Sequence, residues 1–181
     1  MRLKREFFEQ PTLRVARDLV GKELVRVWLG KKVRGVIVET EAYCGVKDKA
    51  CHSARGRTAR TEVMFGRAGH AYVYFVYGMH FCFNIVTCKA GEPEAVLIRG
   101  VQLPDGELVS GPGRVAKYFH IDKSLYGEDL VTSKCLYVKL SHHEAKPCGI
   151  RRAARIGVNY AGEYAHKTWR FVATSLGDLG L

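Results

Sequence analysis

The chain has 181 residues and is 47% hydrophobic, which fits one globular domain with a real core and excludes a disordered chain. Its 29 Lys and Arg against 18 Asp and Glu give a net charge of +11, so the expected partner is a polyanion such as nucleic acid or an acidic membrane surface. No segment has the apolar core of a signal peptide or the ~20 apolar residues of a membrane span. We therefore predict a soluble, cytoplasmic protein.

The first predicted element is a short helix that opens at Pro11, with Leu13, Ala16 and Val20 at helical spacing and Gly21 at its end. A second helix is predicted over residues 114–119. Runs of β-branched and aromatic residues predict five strands, over residues 23–28, 33–43, 71–76, 81–88 and 95–101. The last third of the chain reads as loops and short elements with a basic cluster. A mostly antiparallel sheet is the predicted centre of the fold.

Residues 36–53 carry the first candidate site. Strict alternation places Ile37, Glu39, Glu41 and Tyr43 on one face of the predicted strand, so two carboxylates share a side with an aromatic ring. Such acids are solvated surface groups in many strands. This strand, however, ends in a long basic loop, where an acid at the edge of a rigid sheet is well placed to act as a general base. Alternation does not choose between Glu39 and Glu41.

The aromatic stretch HAYVYFVYGMHFCFN is the second candidate site. Alternation places Tyr72 and Tyr74 on one face, while Tyr77 lies on the other phase beside a glycine. Phe75 and Phe83 are predicted to pack in the core, because such rings bury a large apolar area. Tyr77 precedes a predicted turn, and we predict that it projects as a wedge of the kind that unstacks DNA from the minor groove.

A basic loop joins the two candidate sites. It carries six cations, Lys47, Lys49, Arg55, Arg57, Arg60 and Arg67. A charge run of this kind is often only a solvated loop. Here cations that bind phosphates, rings that stack on bases and a candidate general base occur together, which is what chemistry on a base extruded from the duplex requires.

The six cysteines are scattered, with no CxxC pair and no spacing typical of a zinc site or a disulfide framework. We expect free thiols. A metal site built from Cys44, Cys51 and His52 would have irregular ligand spacing, so no metal is predicted.

Four long motifs stand out along the chain: VETEAYCGVKDKACHS, VMFGRAGHAYVYFVYGMHFCFN, AVLIRG and SGPGRVAK. Together with FFEQPTLRVARDLVGKELVR and RRAARIGVNYAGEYAHKTWRF, they resemble the alkyladenine DNA glycosylases, also called 3-methyladenine DNA glycosylases. The likeness spans nearly the whole chain. It implies a single α/β (α+β) domain over residues 1–181, with a curved, mostly antiparallel sheet and a protruding β-hairpin that inserts into the DNA minor groove. It implies no metal, no cofactor and a monomer.

The resemblance also implies a role for individual residues. Glu41, the second glutamate of ETEAY, resembles the catalytic base, and Arg99 in LIRG resembles the arginine that helps to hold the attacking water. Tyr43 matches the ring that stacks on one face of the flipped base. His52 and Tyr74 match the residues that close over the other face.

Two further matches concern the DNA and the choice of base. Tyr77 matches the tyrosine that fills the space left in the duplex, and Asn84 matches the pocket amide that disfavours the exocyclic amino group of guanine. The family often has TPRN where this chain has TART, with Ala59 and Thr61 in place of proline and asparagine. Three arginines of the C-terminal basic cluster are predicted to face the DNA backbone: Arg151, Arg152 and Arg155.

The implied activity is that of a monofunctional base-excision repair enzyme. It would flip an alkylated or deaminated purine out of double-stranded DNA and hydrolyse its N-glycosidic bond, leaving an abasic site. Two alternatives remain open from the residues alone. One is a non-catalytic nucleic-acid-binding module whose tyrosines stack on single strands, and the other is an RNA-modifying enzyme.

Overall fold

Nine strands and three short α-helices are found in residues 1–76, 78–141 and 147–176, the parts of the chain that the computed structural model describes. The strands are β1 (Lys22–Trp28), β2 (Lys31–Tyr43), β3 (Ala71–Val76), β4 (His80–Thr87), β5 (Glu94–Gln102), β6 (Leu108–Ser110), β7 (Leu136–Leu140), β8 (Pro147–Ala153) and β9 (Arg170–Leu176). The helices are α1 (Arg5–Phe8), α2 (Thr12–Leu19) and α3 (Pro112–Tyr118), with 3-10 turns at His52–Arg55, Glu62–Phe65, Lys123–Leu125 and Asn159–His166.

Strand β2 is the central strand of the sheet and pairs with three other strands. The strand order runs β3-β4-β5-β2-β1-β7, and every pairing between these strands is antiparallel. The first half of β2 pairs with β1, and its second half lies between β5 and β9, which in turn pairs with β8. Residues 39–41 therefore have a strand on both sides, which fixes the backbone that carries Glu39 and Glu41. The predicted α/β (α+β) architecture with a mostly antiparallel sheet is confirmed.

Helix α2 covers one face of β2. Val15, Ala16 and Leu19 are buried on it, because they recur at helical spacing toward the sheet. The Thr40 hydroxyl donates a hydrogen bond of 2.7 Å to the carbonyl oxygen of Ala16, which satisfies a buried polar group between helix and strand. The predicted helix at Pro11 is confirmed. It ends at Leu19, one residue before Val20.

The pairing of β2 with β5 is irregular between Ile37 and Thr40. Strict alternation predicts Ile37 and Ala42 on opposite faces, yet both lie in the main core. The irregularity shifts the phase of the strand, so Ile37 does not share a face with Glu41, and the alternation-based prediction was wrong for that residue. On β5 the shift leaves Arg99 between the paired residues Ile98 and Gly100. Bulges of this kind re-aim side chains next to functional sites.

Two other sequence predictions were wrong. The last third of the chain contains strands β7, β8 and β9, because β7 pairs with β1, β9 pairs with β2 and β8 pairs with β9, and such tertiary pairing overrides weak local strand signals. Phe83 is fully buried as predicted, but Phe75 is 51% exposed. Phe75 lies near the end of β3, and its ring packs against Phe81 of the paired strand, with centroids 4.9 Å apart.

Candidate active site

A cavity of about 370 Å³ opens where β2, β4 and β5 meet the loops that follow β2 and β8. This volume is within the range of about 300–1,000 Å³ found for small-molecule sites. Its walls bring together six of the residues that the sequence singled out, namely Tyr43, His52, Tyr72, Tyr74, Asn84 and Arg99. The loop after β8 contributes Ile156, Gly157, Val158 and Tyr160 to the wall.

Glu41 lies beneath this cavity with no solvent exposure. Its Oε2 accepts a hydrogen bond of 2.9 Å from the Tyr43 hydroxyl, and its Oε1 accepts one of 2.8 Å from the backbone N–H of Ile156. Arg99 Nε stands 3.4 Å from Oε1 of Glu41 and equally 3.4 Å from Oε1 of Glu39. The carboxylate therefore has donors or positive charge on each side, as a buried charge requires.

The burial of Glu41 raises the pKa of its carboxyl above the usual value, although Arg99, the Ile156 N–H and the Tyr43 hydroxyl all act in the opposite direction. Burial and the neighbouring Glu41 also raise the pKa of Tyr43 well above its usual range. Tyr43 is thus a neutral hydrogen-bond donor at neutral pH. A carboxyl with a raised pKa in a cavity is typical of a general base.

Glu39 has a different position from Glu41. It is bound by Arg170, whose Nη1 donates to Oε1 at 2.8 Å, and neither glutamate is itself part of the cavity wall. Strand β9 thereby supplies the hydrogen-bond donor of Glu39, while Glu41 accepts hydrogen bonds from two residues of the cavity wall, Tyr43 and Ile156. The geometry separates the two acids that alternation could not distinguish.

One wall of the cavity is the ring of Tyr43, which is covered by the guanidinium of Arg155 at 4.8 Å from the ring centroid. Arg155 is 4% exposed and forms a two-pronged ion pair with buried Asp48, at 2.5 and 2.8 Å. The prediction that Arg155 contacts the DNA backbone is therefore corrected: its charge is neutralised inside the protein. The other two arginines of that cluster, Arg151 and Arg152, are exposed on β8.

A second wall combines His52, Tyr72 and Tyr74. The His52 ring meets Tyr74 edge-on with centroids 4.6 Å apart, and its Nδ1 is 2.8 Å from the Tyr72 hydroxyl. The guanidinium of Arg60 lies 4.9 Å from the Tyr74 centroid. Burial, with help from Arg60 and Arg55, lowers the pKa of His52 to about 4, so the ring is neutral at physiological pH.

Asn84 is 3% exposed on β4, in register with Tyr72 of β3. Its Nδ2 donates a hydrogen bond of 3.1 Å to the Tyr72 carbonyl oxygen. This bond fixes the orientation of the amide plane at the cavity wall.

The departure from TPRN is accommodated by local hydrogen bonds. Thr61 is 3% exposed, and its hydroxyl contacts the backbone N–H of Thr58 at 2.9 Å and the carbonyl oxygen of Gly56 at 3.1 Å. The Tyr126 hydroxyl is 3.2 Å from the carbonyl oxygens of Ala59 and Arg60. These bonds hold the loop that carries Arg60 over Tyr74.

The sequence did not reveal Ile156, because a backbone N–H has no residue signature. Tyr77, the predicted wedge, lies outside the described residues. Within residues 1–76, 78–141 and 147–176, no three His, Cys, Asp or Glu side chains come together as a metal site, and no helix is long and apolar enough to cross a membrane.

The chain is similar to known proteins over nearly its whole length. Residues 6–176 match the family model described as methylpurine-DNA glycosylase. A relative from Methanocella arvoryzae is 47% identical, with 93% of this chain and 90% of the relative aligned. Relatives from Desulfitobacterium hafniense and Natranaerobius thermophilus are 46% and 43% identical, with 94% of both chains aligned in each case. All three are provisionally named 3-methyladenine DNA glycosylases. The chain belongs to the methylpurine-DNA glycosylase family and is a DNA glycosylase.

Proposed function

We propose that this DNA glycosylase removes alkylated or deaminated purines from double-stranded DNA by hydrolysis and leaves an abasic site. The observation that carries the proposal is a buried carboxylate, Glu41, at the base of a cavity with Tyr43 on one wall and His52 and Tyr74 on another. Aromatic walls suit a planar base that has left the stack, and a buried carboxylate beneath them is the group that the proposed hydrolysis needs. Family membership supports the same activity.

In the proposed reaction, a water attacks the anomeric carbon of the damaged nucleotide. The bond from that carbon to the purine nitrogen breaks, and its electron pair leaves with the base. Glu41 takes the proton from the water, and its charge stabilises the positive charge that develops on the sugar. Arg99, 3.4 Å from Glu41 and part of the cavity wall, is the proposed second contact of the water.

The reaction needs no amine nucleophile, so the proposed enzyme is monofunctional. An N-alkylated purine already carries positive charge and departs without protonation. A neutral purine such as hypoxanthine gains from protonation as it leaves, and neutral His52, with a pKa lowered to about 4, cannot supply that proton at neutral pH. Loss of base pairing in a mismatch favours extrusion of such a base. Asn84 is proposed to act against guanine at the cavity wall.

DNA binding is assigned to exposed cations and to the β3–β4 hairpin. Phe75 is 51% exposed and Met79 is 68% exposed, so apolar groups flank Tyr77, the proposed wedge. Such groups can enter the space between base steps. Exposed Arg151 and Arg152 on β8 are proposed phosphate contacts.

The central test of the mechanism compares two glutamates on one strand. Glu41→Gln keeps the shape of the side chain and removes the base, so single-turnover release of a damaged purine should fall by at least about 100-fold while lesion-DNA binding changes little. Glu39→Gln is the matched control and should reduce the rate far less, because Glu39 accepts its hydrogen bond from Arg170 of β9, whereas Glu41 accepts hydrogen bonds from the cavity wall. The assignment is wrong if Glu39→Gln abolishes release and Glu41→Gln does not.

A second prediction concerns stability and pH. The folded state raises the pKa of Glu41, so it binds a proton more tightly than the unfolded chain, and stability decreases as pH rises from the usual glutamate pKa to the raised one. The Glu41→Gln variant has no carboxyl at this position, so its stability does not decrease in this way as the pH rises. Its Tm should therefore equal or exceed that of the wild type above the raised pKa, and the difference should shrink as the pH falls to 4.5, the ordinary value. A Tm well below wild type at pH 8 would show that the bonds of the carboxylate outweigh its burial.

A third prediction separates surface arginines from the buried one. Arg151→Ala and Arg152→Ala should each flatten the slope of log affinity against log salt by roughly one, since each phosphate contact contributes about −0.9 on duplex DNA. Damaged and undamaged duplexes should be affected alike, because backbone contacts do not read the lesion. If both variants had the same slope as the wild type, Arg151 and Arg152 would not be phosphate contacts, and the prediction would be wrong.

A further inference from the structure

We propose that the buried Asp48–Arg155 ion pair is a positioning device that holds Tyr43 and the backbone N–H of Ile156 in place for catalysis. The inference rests on the proposed function of the cavity and adds two residues to it. Neither Asp48 nor Arg155 lines the cavity, so each acts through residues that do.

The pair is fully enclosed, with no exposure of either side chain. Arg155 Nη1 donates to Oδ2 of Asp48 at 2.5 Å, and Nη2 donates to Oδ1 at 2.8 Å. Removing two charges from water is costly, and well-packed apolar residues often stabilise a fold as well or better. Stability alone is therefore a weak explanation for an ion pair at this position, directly behind the cavity wall.

The remaining contacts of the pair tie three segments together. Asp48 accepts hydrogen bonds of 3.1 Å from the backbone N–H groups of Cys44 and Ala50. Arg155 donates to the carbonyl oxygen of Ala42 at 2.9 Å and to that of Tyr164 at 3.2 Å. The end of β2, the loop that leads to His52 and the loops after β8 are thereby fixed relative to one another.

Two of these links reach the active site directly. The guanidinium of Arg155 lies between the rings of Tyr43 and Trp169, at 4.8 and 4.9 Å from their centroids. The next residue in the chain is Ile156, whose N–H donates to Glu41 at 2.8 Å. A displacement of Arg155 therefore moves a cavity wall and a hydrogen bond to the proposed base together.

The hydrogen bond from Ile156 gives the pair a signature in the pH profile, because this bond opposes the rise in the pKa of Glu41. Glu41 is faced by Glu39 and Tyr43 from β2 and by Arg99 from β5. The charge of Glu41 also acts on the thiol of Cys82 in β4, and Arg170 of β9 is paired with Glu41 in the sheet. The pair is not in direct contact with the carboxylate, so its effect on Glu41 passes through Ile156 and Tyr43.

The test uses three variants, Asp48→Asn, Arg155→Met and the double variant. Each single substitution leaves an unpaired buried charge and should lower Tm strongly, whereas the double variant removes both charges and should recover much of the loss. The double variant should still release damaged purine about 10–100-fold more slowly in single turnover, since small misplacements of catalytic groups have effects of that size.

The acidic limb of the pH–rate profile should also move upward by about one pH unit in the double variant. A shift of this size corresponds to the free energy of one lost hydrogen bond to a charged group. Because one positive and one negative charge are removed together, the shift cannot come from a change in net charge. The matched control is the double variant Arg5→Met with Asp129→Asn. It removes a partly buried ion pair whose Nη2 and Oδ2 atoms are 2.6 Å apart and whose residues are not part of the cavity wall. It should leave the release rate and its pH profile unchanged.

A double variant that folds and keeps the wild-type rate and pH profile would overturn the proposal and leave the pair a structural element. Arg155→Lys covers the case in which the double variant does not fold, because it keeps the charge and loses the two-pronged contact. It should show the same loss of rate and the same shift, and wild-type behaviour would equally overturn the proposal. If the wild type itself released no purine, the proposed function would fail first, and the two failures are thus distinguishable.

Discussion

The burial of one carboxylate is the constraint on which the rest of this structure depends. Glu41 has no contact with solvent, so its charge must be stabilised by the Tyr43 hydroxyl, the Ile156 N–H and Arg99. Those three groups come from β2, from the loop after β8 and from β5. The sheet has to bring distant parts of the chain to one point before the carboxylate can be ionised there.

Several irregular features follow from that requirement. The shifted register between β2 and β5 leaves Arg99 out of the regular pairing, where it stands beside both glutamates. Strand β9 inserts alongside residues 39–41 and brings Arg170 to Glu39. The Asp48–Arg155 pair then anchors the loop that supplies the Ile156 N–H. Each feature serves the same small volume around Glu41.

The walls of the cavity show a consistent electrostatic pattern. Tyr43 is a neutral donor because its pKa is raised, and His52 is neutral because burial and nearby arginines lower its pKa to about 4. The aromatic walls are thus uncharged, whereas the exposed surface carries the cations of the basic loop and of β8. This division suits a DNA glycosylase, whose phosphate contacts and base contacts have different chemical requirements.

Much of this organisation could be predicted from the sequence. The strands over residues 23–43 and 71–101 follow from β-branched and aromatic runs, and Tyr72 and Tyr74 share a face because that strand is regular. The phase of β2 could not be predicted, since a register shift has no residue signature. Strands β8 and β9 form because of their partners, and buried Arg155 could not be told from exposed Arg151 by residue type alone.

The most direct test of the account is to identify the products formed by the wild-type protein on a duplex with one hypoxanthine or one N-alkylated purine. The account predicts free damaged purine in an amount equal to the alkali-labile sites, an intact strand before alkali, and no covalent protein–DNA adduct after borohydride treatment. The same sequence made as RNA, or as undamaged DNA, should yield no free purine. Tight binding to the lesion without free purine, or a borohydride-trapped adduct with strand cleavage, would contradict hydrolysis by a water that Glu41 activates.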